Sequence, residues 1–215
     1  MEISLETFKE MFGPPAFGRL PGKYTSGENL SVLLTLVKFT QAQKVLEMFC
    51  NRGDTAAEIA ATLHAPSVFA GDVCRGLERP LSRSEEVLPM SEVGSSFGKF
   101  GPEASKRITA IAGDRPALEK FYRENAPYDL VYVDGNHTWR GVADDTKLAL
   151  ELVRCGGTVV WDDYWYCCPD VMSYIDLLNR RVEDRIVFVR GTRMCYVTLP
   201  DKGFAESLRK GASDL

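Results

Sequence analysis

The distribution of apolar residues along this chain predicts short strands that alternate with amphipathic helices. Seven runs rich in β-branched and aromatic residues have the length of strands, and stretches of helical length separate most of them. The predicted strands are Lys44–Phe49, Ser67–Gly71, Arg107–Ala112, Asp129–Asp134, Thr158–Trp161, Arg185–Arg190 and Arg193–Leu199. This alternation is typical of an α/β domain. We therefore expect a Rossmann-like, doubly wound sheet of seven strands, mostly parallel, with helices on both faces.

Helical periodicity predicts the elements between and before these strands. In the segment Pro169–Asn179, apolar residues recur at i, i+3, i+4 and i+7, which is one buried helix face. The other predicted helices are Thr55–Leu63, Pro116–Glu124, Gly141–Val153, Leu5–Phe12 and Glu28–Thr40. The last two precede the first strand and are available to cover a site. We expect residues 1–43 to form an N-terminal helical segment of the same domain, followed by the main domain at 44–215.

Glycine placement predicts how the chain ends its sheet. Gly191-Thr192 separates the last two strands, and a glycine at the first central position is typical of a two-residue type II′ hairpin. The final strand is therefore expected to be antiparallel. The segment Arg75–Ser105 is predicted to be a loop with a short helix, either a mobile lid or an ordinary connection.

Composition narrows the classes of function. The 215 residues suit one domain, and the net charge of -4 argues against nucleic acid as a partner. The longest apolar stretch, Val32–Val37, is far shorter than the ~20 residues of a membrane span, and no targeting segment precedes it, so we expect a soluble, cytoplasmic protein. The six cysteines contain no C-x-x-C pair and only two histidines accompany them, so no zinc site is expected, and Cys167-Cys168 is predicted to stay reduced.

The loop at residues 49–53, between the first predicted strand and its helix, is a candidate ligand site. In doubly wound sheets, ligands bind at the carboxyl ends of strands, where a helix N-terminus offers N–H groups to a carboxylate or phosphate. Asp72, which ends the second strand, is placed to accept hydrogen bonds from ribose hydroxyls. Phe49, however, puts bulk where a backbone usually approaches its ligand. A strand-to-helix turn without ligand is the alternative.

A second group of polar residues follows two further strands. Asp134-Gly-Asn-His137 ends one strand, and Asp162-Asp163 ends the next. Three carboxylates at one edge would suit a hard divalent cation, although they could also cap their turns. His137 is a candidate general base or a substrate contact. Nearby aromatic residues would form either an acceptor pocket or core; they are Trp139, Trp161, Tyr164, Trp165 and Tyr166.

These motifs resemble class I S-adenosylmethionine (SAM)-dependent methyltransferases, in particular the family of macrocin-type sugar O-methyltransferases and cephalosporin-hydroxylase-like proteins (methyltransferase family 24 type). The resemblance covers about Lys44 to Leu199, and its most specific parts are Asp134-Gly-Asn-His137 and Gly156-Gly157 with Asp162-Asp163-Tyr164. An antiparallel final hairpin is typical of that fold and favours SAM over a nicotinamide cofactor. Loop 49–53 matches less well, because only Gly53 of its three expected glycines is present.

The resemblance implies roles for specific residues. SAM would contact the loop and neighbouring strand ends through Glu47, Phe49, Asn51, Gly53, Asp72 and Asp114. A more distant similarity to catechol O-methyltransferase implies a Mg²⁺ or another divalent cation on Asp134, Asp162 and Asp163, with Asp134 and His137 as the catalytic residues.

The expected function is therefore a SAM-dependent, divalent-metal-assisted O-methyltransferase acting on a small molecule with a sugar-like or aromatic hydroxyl. One alternative is a metal-independent methyltransferase in which the acids orient the substrate. Another is a non-catalytic binding protein, motivated by Phe49. An iron oxygenase is disfavoured, because His64 and His137 do not make a two-histidine, one-carboxylate triad. A homo-oligomer is compatible with the sequence.

Overall fold

A computed structural model describes residues 1–12, 27–62, 66–73 and 91–215. Its centre is an eight-stranded sheet in the order β1-β7-β8-β6-β5-β2-β3-β4. The strands are β1 (Glu2–Ser4), β2 (Lys44–Met48), β3 (Ser67–Val73), β4 (Ile108–Gly113), β5 (Tyr128–Val133), β6 (Val153–Trp161), β7 (Val187–Arg190) and β8 (Cys195–Thr198). Only β8 runs antiparallel to its neighbours β6 and β7. The predicted mostly parallel, doubly wound sheet is confirmed.

The count of seven strands is wrong, because Glu2–Ser4 pairs in parallel with β7 and adds an eighth. Three residues are too short to produce a strand pattern in the sequence, so this strand arises from its tertiary neighbour. The predicted hairpin is confirmed, but its two-residue turn is wrong. Gly191, at φ 87°, is the third residue of a turn closed by the Thr192 N–H, which donates to the carbonyl oxygen of Val189 at 3.2 Å. The Thr192 hydroxyl also donates to the Val189 carbonyl oxygen, at 2.7 Å.

Helices cover both faces of the sheet. Their bounds are α1 (Leu5–Phe12), α2 (Gly27–Phe39), α3 (Asp54–Ala60), α4 (Pro102–Ser105), α5 (Arg115–Glu124), α6 (Trp139–Leu152), α7 (Pro169–Arg181) and α8 (Lys202–Ser213). Residues of α1 to α4 pack into one apolar cluster with the sheet, and residues of α5 to α8 pack into a second on the other face. No described helix combines the length and apolar character that crossing a bilayer requires.

Strand register places the predicted motifs at one edge of the sheet. Met48 pairs with both Gly71 and Val133, and Val133 pairs with Trp161. Loop 49–53, Asp134 and Asp162 therefore follow strands that end together, and Asp72 lies in the last residues of β3 at the same edge. Because β8 runs the opposite way and its Cys195 pairs with Trp161, the residues just before β8 reach the same edge.

Part of the predicted segment Arg75–Ser105 lies outside the described residues, as does His64. The described part, from residue 91, consists of consecutive turns followed by the short helix α4. None of the five cysteines in the described ranges is in a disulfide, and these five include Cys167 and Cys168.

Candidate active site

Asp162 is held in place by donors from three directions. The Tyr132 hydroxyl donates to its Oδ2 at 2.8 Å, and the Asn29 side-chain amide donates to its Oδ1 at 2.8 Å. The backbone N–H of Asp163 also donates to Oδ1, at 2.7 Å. Asp162 is buried at 4% exposure, so these bonds satisfy a carboxylate that water reaches poorly. Its orientation is fixed by the fold.

Asp163 joins an imidazole to a guanidinium. Its Oδ2 lies 2.7 Å from His137 Nε2, and its Oδ1 lies 2.9 Å from a terminal nitrogen of Arg193. Asp163 has φ 60°, a left-handed conformation that aspartate adopts more readily than most residues. Arg193 Nε also lies 3.5 Å from Asp162 Oδ1.

The three acids have different protonation tendencies. Burial, followed by the charges of Asp162, Asp163 and Glu47, raises the pKa of Asp134 well above its ordinary value. Burial also opposes ionisation of Asp163, but the hydrogen bond and charge of His137, with the charge of Arg193, bring its pKa below the usual value. Burial, followed by the charge of Asp163, also raises the pKa of Asp162. Asp163 is therefore the acid of this group whose ionised form the surroundings favour, whereas those of Asp134 and Asp162 are disfavoured.

A small cavity opens between the acids and the helices α6 and α7, with room for about one water molecule. Its lining residues are Val133, Asp134, Gly135, Asn136, His137, Val142, Asp145, Trp161, Asp162, Asp163 and Val171. Of the aromatic residues predicted here, Trp161 is core at 1% exposure and donates to the Thr146 hydroxyl. Trp165 and Tyr166 are exposed beside the acids, with ring centroids 4.7 Å apart.

Loop 49–53 contains three left-handed residues. Phe49, Asn51 and Gly53 have φ values of 66°, 51° and 81°. Asn51 thus keeps a conformation that glycine usually supplies, and its N–H donates to the carboxylate of Asp72 at the end of β3. Asp72 therefore lies beside the loop, as the sequence predicts.

The segment 91–100 packs directly on this loop. The N–H groups of Gly94 and Ser96 donate to the carbonyl oxygens of Asn51 and Arg52 at 3.0 and 2.8 Å. The Phe97 ring lies against Gly53 so closely that a Cβ added there would be 2.0 Å from its Cε1. Gly53 is thus required both by its positive φ and by the approach of Phe97.

Phe49 occupies the space between the ends of β2 and β5. A Cβ added at Gly135 would lie 2.5 Å from Phe49 Cδ2, so the ring is in close contact with that glycine. On its other side the Arg115 guanidinium lies 5.6 Å from the ring centroid, in the range of a cation–π contact. Arg115 is in turn paired with the buried Asp145. The Phe49 ring is therefore packed against neighbouring residues rather than directed into solvent.

Glu47 and Asp114, two further predicted cofactor contacts, are engaged by helix termini. Glu47 is buried and accepts from the Ala56 N–H and from Thr55, at the start of α3, while its Oε2 has no hydrogen-bond partner among the described residues. Burial, then the charge of Asp72, raises its pKa to about 8. Asp114 is exposed and caps α5 by accepting from the Ala117 N–H at 2.9 Å.

The described residues contain one set of three potential metal ligands whose atoms all lie within 4.8 Å of one another: His137, Asp163 and Cys168. The trio predicted from the sequence, Asp134, Asp162 and Asp163, does not meet that spacing, although the acids lie close enough to repel one another.

Sequence reasoning missed three residues that organise the acids. Asn29, which is fully buried, is a polar residue in the otherwise apolar helix α2, and such a residue is a detectable signal. Tyr132 was read only as part of a strand. Arg193 reaches the acids because the last strand is antiparallel and inserted beside β6, so only the sheet order identifies it.

Comparison with known sequences agrees with this geometry. The profile of methyltransferase family 24, described as "Methyltransferase domain", matches residues 51–164, more than half of the chain. The chain belongs to this methyltransferase family. The match begins within loop 49–53, at Asn51, and ends at Tyr164, so it includes Asp134, His137 and Asp162-Asp163 but not Glu47 or Phe49. No curated protein matches the sequence.

Solved structures share the fold of this methyltransferase. An O-methyltransferase from Bacillus cereus, in complex with S-adenosylhomocysteine (SAH), has 16% identity and a TM-score of 0.57, and the match covers 90% of each chain. The O-methyltransferase TomG from Streptomyces achromogenes, involved in tomaymycin synthesis and in complex with SAM, has 17% identity and a TM-score of 0.56. That match covers 91% of this chain and 86% of TomG. At these identities the similarity establishes the class I methyltransferase fold.

Proposed function

We propose that this methyltransferase transfers the methyl group of SAM to a hydroxyl oxygen of a small acceptor. The observation that carries the proposal is the His137–Asp163 pair, with Nε2 and Oδ2 at 2.7 Å, at the sheet edge next to loop 49–53. A histidine held by a carboxylate is a suitable general base for a hydroxyl. Family membership and the folds of proteins solved with SAH and SAM support the cofactor.

The residues around loop 49–53 provide plausible chemistry for SAM. Asp72 would accept hydrogen bonds from ribose hydroxyls, and Asp114 would contact the adenine edge. The unpartnered Oε2 of Glu47 is a buried acceptor that a ligand's ammonium group would satisfy. We assign Asn51 and Gly53 to the loop backbone that supports the cofactor, and Phe49 to a ring surface against which it would pack.

In the proposed reaction, His137 accepts the proton of the acceptor hydroxyl. Asp163 would accept a hydrogen bond from His137 Nε2–H, which fixes the tautomer with the lone pair on Nδ1. Because Nδ1 is buried, the acceptor hydroxyl would have to enter the site to reach it. As that proton moves to His137, the acceptor oxygen attacks the methyl carbon, the carbon–sulfur bond breaks and SAH leaves. Asp163 stabilises the imidazolium, and Arg193 keeps Asp163 ionised.

A divalent cation such as Mg²⁺ is proposed on Asp134, Asp162 and Asp163. The chemistry of the donors fits, because burial and then the charges of the neighbouring acids raise the pKa of Asp134, and a bound cation would stabilise its ionised form. Each carboxylate has about four lone-pair sites, so the donors on Asp162 and Asp163 do not use them all. When bound, the cation would orient the acceptor hydroxyl and make it more acidic.

Metal-independent transfer is the second candidate, and Arg193 favours it. Its guanidinium lies 2.9 Å from Asp163 Oδ1 and 3.5 Å from Asp162 Oδ1. Arg193 therefore already supplies positive charge to two of the three acids. In this mechanism the acids would orient the acceptor directly.

SAH binding tests the first step. We expect SAH at ~100 times its Kd to stabilise the protein by about 2.7 kcal/mol, measured as a thermal shift. Asp72→Asn should weaken binding, whereas Asp144→Asn, on the exposed face of α6, should not. If neither SAM nor SAH at ~1 mM shifts the melting temperature, the methyltransferase proposal fails and a non-catalytic role remains.

Turnover tests the chemistry. SAH formation would be measured with a panel of catechol and sugar acceptors, in Mg²⁺ and in a chelator. We expect His137→Gln to lower kcat by ~10² to 10⁴-fold with SAH affinity unchanged. Loss of activity with chelator supports the cation, whereas unchanged activity supports the Arg193 alternative. Full activity of His137→Gln would contradict the assigned base.

A further inference from the structure

We infer that His137, Asp163 and Cys168 form a binding site for a thiophilic divalent ion of the zinc class, and that its occupation inhibits methyl transfer. This inhibitory role rests on the proposed function, whereas the binding site does not. The three residues come from separate positions: the loop after β5, the end of β6 and the start of α7. Their ligand atoms nevertheless lie within 4.8 Å of one another.

The backbone between Asp163 and Cys168 fixes the spacing of these two ligands. The Trp165 N–H donates to the Asp163 carbonyl oxygen at 2.7 Å, and the Cys168 N–H donates to the Trp165 carbonyl oxygen at 2.8 Å. The Tyr164 N–H is bonded to the Arg193 carbonyl oxygen at 3.0 Å, which anchors this turn to the final hairpin. This hydrogen-bonded turn therefore holds the Asp163 carboxylate and the Cys168 thiol close to each other.

The mixed donor set selects the kind of ion. Imidazole, carboxylate and thiolate together suit Zn²⁺, whereas Mg²⁺ prefers oxygen ligands alone. In a tetrahedral zinc site with bonds of ~2.0 to 2.3 Å, neighbouring ligand atoms lie about 3.3 to 3.8 Å apart. Ligands already within 4.8 Å reach this spacing through small side-chain movements. A water would complete the tetrahedron, as in open zinc sites.

The surroundings support an ion that enters from solvent. His137 and Cys168 are partly exposed, and the neighbouring Trp165, Tyr166 and Cys167 are exposed. Arg193 remains on Asp163 Oδ1 and would hold that carboxylate while Oδ2 turns from His137 to the ion. A carboxylate bonded to a second group is typical of metal ligands in proteins. These ligands form no sequence motif such as C-x-x-C, and they come together only in the folded protein. The sequence alone therefore does not predict this site.

Bound zinc would remove the proposed base. A neutral imidazole that coordinates the ion through one nitrogen carries its proton on the other, so neither nitrogen could accept a proton from the acceptor, and Asp163 would no longer orient the ring. The inhibition would therefore be specific to thiophilic ions and would differ from any effect of Mg²⁺, which the thiol does not attract.

The test compares Cys168→Ser with Cys167→Ser, which removes the adjacent exposed thiol as a matched control. Zn²⁺ affinity would be measured on the reduced protein without SAM or acceptor, by competition with a chromophoric chelator. Co²⁺ would be added separately, and its thiolate charge-transfer absorption recorded. We expect wild type and Cys167→Ser to bind one ion with similar affinity and to give this absorption.

Cys168→Ser should lose at least an order of magnitude in Zn²⁺ affinity and the thiolate absorption, with its circular dichroism unchanged. Wild-type protein that binds neither ion, or equal binding by both variants, would overturn the site. If zinc binds through Cys168 but does not reduce turnover, the inhibitory role fails and the site stands. If no turnover exists to inhibit, the proposed function fails, and the binding experiment still decides the site.

Discussion

Glu47 is the residue whose protonation most directly links folding to pH at loop 49–53. It is 2% exposed and accepts hydrogen bonds from the first turn of α3. Burial, followed by the charge of Asp72, raises its pKa from 4.5 to about 8. Above pH ~4.5 the folded protein therefore keeps a proton that the unfolded chain releases, so the free energy of unfolding falls as pH rises, until the folded carboxyl ionises near pH 8.

Glu47→Gln should remove this dependence, since glutamine is neutral at every pH and similar in shape. We expect the wild type to lose stability on the order of several kcal/mol between pH 5 and 8 through this group, and Glu47→Gln to lose much less. Urea unfolding from pH 5 to 9 measures the difference. Glu206→Gln, at an exposed position on α8, should follow the wild-type curve. Parallel curves for wild type and Glu47→Gln would contradict a buried, protonated Glu47.

The sequence predicts which acids meet better than it predicts how they pair. Asp134 and Asp162 follow parallel neighbouring strands, and parallel strands end at a common edge, so their approach follows from topology alone. The pairing of Asp163 with His137 depends on the left-handed φ of Asp163, and the approach of Arg193 depends on the sheet order. Local periodicity predicts neither contact. The sequence therefore predicts a metal site formed by acids alone, whereas in the structure Arg193 also lies beside these acids.

At the scale of elements, loop 49–53 and segment 91–100 act as one packed unit. Two backbone hydrogen bonds join them, and Lys99 pairs with Asp54 at 2.8 Å. The Phe97 ring fills the space above Gly53. Because the contact is so close, the segment limits what residue 53 can be, and the loop conformation depends on the segment.

Gly53→Ala and Gly191→Ala separate the two requirements on these glycines. Both have φ above 80°, but a Cβ at Gly191 would meet nothing within 4 Å. We expect Gly191→Ala to lower the free energy of unfolding by about 1 to 2 kcal/mol through backbone strain. Gly53→Ala should lower it by a further ~1 to 3 kcal/mol through overpacking against Phe97. Denaturant unfolding measures both.

The control is Phe97→Ala. In that background, Gly53→Ala should destabilise the protein only as much as Gly191→Ala does in the wild type, because the clash is gone. An unchanged difference between the two glycine variants would mean that Phe97 does not determine the requirement for Gly53.

Periodic elements were predictable and short or weakly patterned ones were not. The strands β2 to β5, β7 and β8 and the helices α1 to α3 and α5 to α7 lie within a few residues of their predicted bounds, because buried faces repeat at a fixed period. Strand β6 begins at Val153, well before its predicted start at Thr158. Helix α8 was not predicted, although its buried residues Ala205, Leu208 and Ala212 recur at helical spacing. Strand β1 exists through its pairing with β7.

At the scale of the whole molecule, the two ends of the sheet have different roles. The carboxyl ends of β2, β3, β5 and β6 present acids, histidine and strained backbone. At the opposite end, Asp129 accepts from the Gln43 and Lys44 N–H groups at 2.8 Å and pairs with Arg154. That second cluster of charges is therefore neutralised by backbone and side-chain donors, and it lies at the end where ligands of such sheets do not bind.

Hydrogen exchange with and without SAH tests this polarity. We expect SAH to slow exchange of the amides in loop 49–53 and at residues 134–137, because a bound ligand must leave before these segments open locally. Amides at the other end, those of Ala126 and Tyr128 and of residues 154–157, open by local fluctuations that do not involve the site and should exchange at the same rate. Amides at the centre of β5 exchange only through global unfolding, so their protection should rise by the stabilisation that SAH gives the whole protein. That increase is an internal measure of saturation, since it must match the thermal shift.

Two outcomes would contradict this prediction. Protection gained equally at both ends would mean that the ligand stabilises the fold without occupying the carboxyl edge. Protection confined to residues 126–128 and 154–157 would place the cofactor at the opposite end of the strands.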